Sequence, residues 1–271
     1  MEAKLPGHTA SLPIGCQNCD FLPFCQYSNH PRQEKKILED IPLKIYNLVR
    51  GEYLFRENDT LKTVCIIRSG SVKTYTHIPD GEEQVTGFHL AGKLLGLDGI
   101  ATNHHTQSAV SLETCSICEI SYARIESASK HRPQLQNLLL HAMSREIRKD
   151  HDHLVLLSRK SAATRLASFL LSLSHYFQQH GYSATNFNLS MSRHDIANLL
   201  GLAVETVSRL FTQFQQDGLV TVDRKHIVVD DMQRLQRLSN GDEEAAIPPA
   251  HHYASSRFHT TAQHHGKDWR I

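Results

Sequence analysis

The sequence lacks the features that define several large classes of protein. Its longest apolar runs, such as Leu138–Leu140 and Leu154–Leu157, fall far short of the roughly 20 residues that a membrane span needs. The segment Met1–Gly15 has no apolar core flanked by basic residues. We therefore expect no secretory signal peptide and a cytoplasmic protein.

The chain also lacks an excess of charge of either sign. Its 29 Lys and Arg nearly balance 28 Asp and Glu, and its mean hydropathy of -0.38 is typical of a soluble globular chain. This balance excludes a polycation that coats nucleic acid, but it allows a specific DNA binder whose charge is local. G-x-S-x-G, P-loop and paired-carboxylate motifs are missing too, so we do not expect an enzyme.

Cysteine is sparse but unevenly distributed. The six residues are Cys16, Cys19, Cys25, Cys65, Cys115 and Cys118. A disulfide framework is typical of small secreted domains, whereas clustered thiols in a reducing compartment are more often metal ligands. The N-terminal spacing C-x2-C-x5-C suits iron–sulfur or zinc loops. Three thiolates are one ligand short, so we expect the fourth from elsewhere in the fold.

The fourth ligand cannot be chosen from the pattern alone. Cys115 and Cys118 lie in Glu113–Ile120, which we predict to be a strand, and their separation places them on opposite faces. Only one of them can then turn towards the N-terminal loop. Cys65, within Val64–Ile67, is expected to be a small buried apolar residue.

Residues from about 45 to 125 predict an antiparallel barrel or roll. Seven glycines separate short runs rich in β-branched and aromatic residues, a pattern typical of short strands joined by turns. The predicted strands are Tyr53–Phe55, Val64–Ile67, Val72–Thr76, Gln84–Phe88 and Ser108–Leu112. Pro79-Asp80-Gly81 is a strong turn signal between two of them.

The stretch Pro133–Lys160 predicts a long helix with a seam for a second copy of the chain. Successive steps of three and four residues connect Leu140, Met143, Ile147, Asp150, Leu154 and Leu157. In a parallel homodimer the two Asp150 carboxylates would face and repel each other, which weakens the dimer. Two alternatives are a helix that packs only on its own domain, and an Asp150 that points outward towards a neighbouring Arg or Lys.

Residues from about 161 to 240 predict a winged helix-turn-helix. A first helix, Arg165–Phe177, is amphipathic, and Ser192 with Asp195 resembles a capping box at the start of the next helix. Gly201 allows the left-handed turn that precedes the second helix. That helix is expected to bury Val207, Leu210, Phe211 and Phe214 and to expose Glu205, Ser208, Arg209 and Thr212.

The exposed face of the second helix suits the reading of DNA bases. Arg209 can donate two hydrogen bonds to guanine, and Glu205 can accept one from cytosine N4. A hairpin wing, Leu219–Val229, would hold its basic tip beside the phosphate backbone. The candidate DNA contacts are Glu205, Thr206, Ser208 and Arg209 in the helix and Arg224 and Lys225 in the wing. The alternative is a generic helical hairpin with a solvated polar face.

The predicted fold class is thus α+β, with a β-roll of the cyclic-nucleotide-binding type, a long dimerisation helix and a winged helix-turn-helix. The predicted units are a cysteine-rich segment (1–30), the roll (31–130), the long helix (131–160), the DNA-binding domain (161–240) and a disordered tail (241–271). The tail contains five of the 19 histidines, which leaves metal binding there as an alternative.

The order of these units resembles the cyclic-AMP receptor protein superfamily. Within it, the chain resembles the fumarate and nitrate reduction regulators from about Cys16 to Leu238. The matching motifs are the N-terminal cysteine triplet, Cys118 within Ile117–Ile120, Gly87–Gly92 and Val204–Leu210.

The resemblance implies an oxygen-sensing transcription regulator. In the family, four cysteines hold an oxygen-labile [4Fe–4S] cluster that supports the dimer; the matching positions here are Cys16, Cys19, Cys25 and Cys118. The implied partners are double-stranded DNA carrying an inverted repeat of TTGAT-like half-sites, a second copy of the chain, and RNA polymerase, which exposed loops including Thr76–Glu83 would contact. Cys65 and Cys115 would be bystanders.

Other ligands of the superfamily fit less well. A cyclic nucleotide would need a Gly-Glu-Leu turn followed by Arg-Ser, but the chain has Gly96-Leu97-Asp98 and then Gln107-Ser108. The arginine that would neutralise the phosphate is missing. Haem could use His77, His89, His104 or His105, yet it would leave the cysteine triplet without a purpose. A regulator with structural zinc is the stronger alternative, and an electron carrier would not need a helix-turn-helix.

Overall fold

The computed structural model describes residues 43–242, whose first part is a β-roll. Two antiparallel sheets, ordered β1-β8-β3-β6 and β2-β7-β4-β5, enclose its core. The eight strands are β1 (Leu43–Leu48), β2 (Tyr53–Phe55), β3 (Thr63–Ser69), β4 (Ser71–His77), β5 (Glu83–Leu90), β6 (Leu94–Leu95), β7 (Ser108–Ser111) and β8 (Cys115–Ser121). All five strands predicted for the roll are present.

Helices dominate the second part, which ends in a winged helix-turn-helix. The helices are α1 (Tyr122–Ser129), α2 (Pro133–Arg159), α3 (Ala162–Gln179), α4 (Arg193–Leu200), α5 (Val204–Gln216) and α6 (Met232–Asn240). The strands are β9 (Asn186–Asn188), β10 (Val220–Asp223) and β11 (His226–Val229), which form a sheet of order β10-β11-β9. The predicted α+β class and its three-part architecture are confirmed.

Strand β8 separates two apolar clusters because side chains alternate along it. Cys115 and Ile117 point into the roll, where they pack with residues of both sheets. Cys118 and Ile120 point to the other face and pack with Leu135 at the start of α2. The predicted placement of the two cysteines on opposite faces is therefore confirmed.

Helix α2 is continuous for 27 residues, about 40 Å at 1.5 Å per residue. It begins with Pro133, whose fixed φ and missing N–H suit the first turn. Leu135 is fully buried against the roll, but Leu140, Ile147 and Leu154 are 56%, 55% and 62% exposed. A single copy of the chain therefore leaves one apolar side of this helix without a covering partner among the described residues.

The second part has a core built from α3, α4, α5 and α6 with the small sheet, and Val85 and Leu112 of the roll pack at its edge. Leu166 and Leu170 of α3 and Val207 and Phe214 of α5 are fully buried there. This core supports the helix-turn-helix, and the wing hairpin extends from it. We call this unit the head.

We predict that two left-handed glycines of the roll differ sharply in their tolerance of a methyl group. Gly70 has φ +85°, and a Cβ there would lie 2.7 Å from the Thr114 carbonyl oxygen and from the Cys115 sulfur. Gly81 has φ +81° but nothing within 4 Å of such a Cβ. The left-handed strain of about 1–2 kcal/mol is common to both, so the clash is expected to cost Gly70→Ala a further ~1–3 kcal/mol.

Urea unfolding of both variants measures the difference in the free energy of unfolding. Gly81→Ala is the matched control for the backbone strain. Equal losses in the two variants would contradict the close packing of Gly70 against β8.

Candidate nucleic-acid interface and sensor cysteines

The outer face of α5 carries the predicted base-reading residues. Glu205, Ser208 and Arg209 are exposed and Thr206 is half-buried, while the opposite face is buried in the head. The Ser208 hydroxyl donates to the Val204 carbonyl at 2.9 Å, which leaves its lone pairs directed outward. Within residues 43–242, neither Glu205 nor Arg209 forms an ion pair, so both charges are available to bases.

Three local features define the start of α4 and its junction with α5. The Ser192 hydroxyl accepts from the Asp195 N–H at 3.0 Å while Asp195 accepts from the Ser192 N–H at 3.2 Å, which is the predicted capping box. Gly201 ends α4 with φ 60° and ψ 43°, the predicted left-handed conformation. Across the turn, the Arg193 guanidinium lies 3.4 Å from the centroid of the Phe211 ring, a cation–π contact that joins the two helices.

The wing presents its basic residues at the tip. Asp223 pairs with His226, so Arg224 and Lys225 form the connecting turn, where both are exposed. Arg224 has φ 55°. The His226 ring lies 2.6 Å from the Asn186 side-chain oxygen and thereby ties the wing to β9.

The head is docked on the roll through α4. Strand β5 is the edge of its sheet, and the Asn198 amide satisfies its outward backbone groups: Val85 N–H donates to Oδ1 at 2.6 Å, and Nδ2 donates to the Glu83 carbonyl at 2.8 Å. Lys73 on β4 lies 2.9 Å from Asp195 and 3.2 Å from Glu83. Asp195 and Asn198 lie more than a hundred residues from their partners in the roll, so no local pattern could have revealed the contact.

The surroundings of Asp195 at this docking contact lower the pKa of its carboxyl group. Its partial burial opposes ionisation, but the hydrogen bond from Ser192 and the Lys73 cation outweigh burial and hold the pKa of Asp195 below its usual value. The carboxylate therefore serves both the helix cap and the contact with the roll.

Among the proposed cluster ligands, Cys118 is the one that the structure describes. Cys118 pairs with Ile45 of β1 and Ile66 of β3, and it is 7% exposed. Cys16, Cys19 and Cys25 lie outside the described residues. Within residues 43–242 no group of three or more His, Cys, Asp or Glu could hold a metal ion.

The thiols of Cys65 and Cys115 point into the roll. The Cys115 thiol donates to the Ser71 carbonyl at 3.2 Å. Cys65 is 1% exposed, and its burial raises the pKa of its thiol to about 12. Both therefore behave as buried apolar residues rather than as available thiolates.

The roll histidines that could serve haem are each engaged. His77 lies 3.0 Å from Glu57, His89 lies 2.9 Å from Thr74, His104 lies 3.1 Å from the Thr102 carbonyl and His105 lies 3.3 Å from Asp98. His105 also stacks on Phe55 with ring centroids 3.8 Å apart. Each imidazole is therefore oriented through one of its ring nitrogens.

The predicted dimer residues line one side of a cleft of about 800 Å³ between α2, the roll and α4. Met143, Ile147, Asp150, Leu154 and Leu157 all border it. Asp150 is exposed, and no basic side chain of the described chain forms an ion pair with it. Gln107, in place of the phosphate-binding arginine, borders the same cleft and accepts from Thr86 at 2.6 Å.

Comparison with known proteins supports this architecture. Residues 46–132 match the model of the cyclic nucleotide-binding domain, and residues 164–238 match that of the Crp-like helix-turn-helix domain. The transcriptional activator protein Anr of Pseudomonas protegens is 44% identical over 229 residues, which cover 84% of this chain and 94% of Anr. The fumarate and nitrate reduction regulatory protein of Escherichia coli K12 is 40% identical over 233 residues, covering 86% and 93% of the two chains.

The chain belongs to the family of fumarate and nitrate reduction regulators.

Membership of this family agrees with the solved structures. FixK2 from Bradyrhizobium japonicum superimposes with a TM-score of 0.68 at 30% identity, covering 73% of this regulator and 97% of FixK2. The regulator is therefore a DNA-binding transcription regulator and not an enzyme. The helices between residues 43 and 242 are all too short or too polar to cross a bilayer.

Proposed function

We propose that this regulator senses dioxygen and, when its cluster is intact, binds DNA as a homodimer to control genes of anaerobic metabolism in the cytoplasm. Cys16, Cys19, Cys25 and Cys118 would hold a [4Fe–4S] cluster. The observation that carries the proposal is the position of Cys118, which shares an apolar cluster with the start of the exposed, apolar-seamed helix α2. The relatives named for fumarate and nitrate reduction support the physiological role.

The N-terminal cysteines can reach Cys118. The described chain starts at Leu43, which pairs with Ile120 and belongs to the apolar cluster of Cys118. Seventeen residues separate Cys25 from Leu43, enough to span up to ~60 Å when extended. Cys115 faces the opposite side of the strand, which favours Cys118 as the fourth ligand.

When bound, the cluster would supply an oxygen-labile link between the N-terminal segment and β8. The chain's own residues give that link a route to the dimer. Ile125 of α1 and Leu135 of α2 pack with Cys118 in one cluster. Because protein cores are close-packed, a change in the surroundings of Cys118 shifts the base of α2, and a continuous helix carries that shift along the seam.

We predict that Cys118 and Cys115 differ in iron retention. Under strict anaerobiosis, Cys118→Ala is expected to lose most iron and sulfide because a ligand is gone, whereas Cys115→Ala keeps wild-type content. Iron and sulfide analysis with visible absorption spectra before and after air measures this. The wild-type protein is expected to be brown and to bleach in air.

Cys115→Ala is the matched control, since it removes a buried thiol from the same strand. A colourless wild-type protein that retains zinc in air, or equal iron loss in both variants, would overturn the cluster assignment.

Dimerisation is opposed at one position of the seam. Exposed Leu140, Met143, Ile147 and Leu154 favour a second copy by burial of apolar surface, while two facing Asp150 carboxylates oppose it. An attractive and a repulsive interaction of similar size give an association that small shifts of α2 can control.

We predict that Asp150→Ala makes the aerobic protein dimeric because the repulsion is removed. Sedimentation velocity in air is expected to show a dimer that binds the inverted repeat, whereas wild type is monomeric. Asp152→Ala is the control, since Asp152 is an exposed carboxylate of the same helix that does not border the cleft. A monomeric Asp150→Ala protein would refute the role of Asp150.

The DNA contacts divide into base-reading and phosphate-binding residues. Glu205, Ser208 and Arg209, with Thr206 beside them, occupy the exposed face of α5, and we assign base recognition of TTGAT-like half-sites to this face. Arg224 and Lys225 at the wing tip have no side-chain acceptor in the described part of the chain, which suits phosphate contact. The exposed turn between β4 and β5, within Thr76–Glu83, is the proposed contact for RNA polymerase.

We predict different signatures for the two classes. Glu205→Ala and Arg209→Ala are expected to cost about 1–3 kcal/mol on the preferred half-site and to relax the preference at one base pair. Lys225→Ala is expected to weaken binding about equally on all sequences and to reduce the salt slope by about 1. Titrations against single-base variants measure both; a uniform loss with Arg209→Ala would make it a phosphate contact.

A further inference from the structure

The connection between the dimer helix and the head is a sharp bend of two residues. Helix α2 ends at Arg159, Lys160 is extended with φ −104° and ψ 146°, and Ser161 caps the start of α3. The Ser161 hydroxyl accepts from the Thr164 N–H at 3.2 Å. A bend this short fixes the distance between the helices but not the angle, since the dihedral angles of the two linking residues can change.

One side chain bridges this bend. The Arg165 guanidinium donates from Nη2 to the Leu157 carbonyl at 2.6 Å and from Nε to the Lys160 carbonyl at 3.1 Å. The Leu157 oxygen lies in the last turn of α2, where backbone carbonyls lack helical partners and carry partial negative charge, and the Lys160 oxygen belongs to the bend itself. Arg165 thereby ties the start of α3 back to α2.

The same guanidinium also holds the helix-turn-helix. Its Nη1 donates to the Leu200 carbonyl at 3.0 Å and to the Gly201 carbonyl at 3.4 Å. Both carbonyls lie at the carboxyl end of α4, where backbone oxygens lack helical partners. One planar cation thus joins the carboxyl ends of two helices, a geometry that the fixed donor fork of arginine permits and that the single ammonium of lysine does not.

The residues that Arg165 bonds belong to the two parts of the chain that the proposed mechanism uses, the dimer seam and the helix-turn-helix. Leu157 is the last residue of the dimer seam, and Gly201 is the turn that precedes the recognition helix. A dimer that reads an inverted repeat must hold its two recognition helices at a set separation, about one turn of DNA. Rotation at the bend would change that separation.

We propose that Arg165 is a positioning residue that fixes the angle of the reading head to the dimer seam and so determines which half-site spacing the dimer accepts. The inference rests on the proposed dimeric DNA binding. If Arg165 only stabilised the fold, its replacement would weaken binding to every DNA alike. If Arg165 positions the head, its replacement changes the dependence on spacing and leaves contact with a single half-site intact.

The test uses full-length anaerobic wild type, Arg165→Gln and Arg165→Lys. The DNA probes are the inverted repeat that wild type selects from random sequence, the same repeat with one or two base pairs added or removed at the centre, and one isolated half-site. Wild-type affinity is expected to fall about tenfold or more when the spacing changes. For Arg165→Gln, the ratio between the affinity for the selected spacing and that for the altered spacings is expected to shrink to about threefold or less. Its half-site affinity is expected to stay at the wild-type value.

Lys160→Gln is the matched control. Lys160 also donates to the carboxyl end of a helix, the Asn240 carbonyl at 2.6 Å, but that helix is α6. This variant removes a cation at the same bend without releasing α4, and it is expected to keep the wild-type spacing profile.

An Arg165→Gln protein with the wild-type spacing profile would overturn the proposal, and so would an equal loss on every probe including the half-site. Should Arg165→Gln fail to fold, Arg165→Lys decides: a broadened profile supports the proposal and an unchanged one overturns it. If wild type itself bound all spacings equally, the proposed binding of DNA as a dimer would be refuted instead.

Discussion

Because side chains alternate along β8, one strand serves two separate clusters of the roll. Cys115 and Ile117 fill the interior between the sheets, while Cys118 and Ile120 pack against Leu135 of the long helix. This alternation places the Cys118 thiol on the face that packs with Leu43 of β1 and with the start of α2. The proposed link between the sensor and the dimer seam depends on that placement.

The proposed seam would be suited to control because its opposing interactions are comparable in size. Full burial of a Leu, Ile or Met side chain is worth about 1.5–3 kcal/mol. Two carboxylates about 4 Å apart repel by about 1 kcal/mol in water and about 4 kcal/mol near a protein surface. In the proposed dimer, Asp150 would therefore offset at most about one of the apolar pairs expected from Leu140, Met143, Ile147 and Leu154, without abolishing the seam.

Features that depend on neighbours in sequence were predictable. The Ser192 and Asp195 cap, the left-handed Gly201 and the continuous α2 each follow from spacing within one turn or one helix. Strands β1 and β9 are not among the predicted strands, and neither is β6, whose two residues carry too little periodicity to be found. Helix α1 was likewise not predicted.

Contacts between distant segments had no local signal. The pairing of Asn198 with β5 and of Lys73 with Asp195 depends on how the head docks on the roll. The pattern placed Cys115 and Cys118 on opposite faces but did not show which face α2 covers. The sequence pattern predicts Arg165 at the start of an amphipathic helix, and its four carbonyl partners emerge only when α2 and α4 end beside it.

The proposed regulation requires a link between the cluster and the dimer, and one ultracentrifuge experiment tests that link directly. Sedimentation of a single anaerobic sample is followed at a visible wavelength and in the ultraviolet, before and after dioxygen is admitted. We predict that the coloured species sediments as a dimer and that bleaching converts it to a monomer with the same time course. A coloured monomer, or a dimer that persists after complete bleaching, would contradict the account.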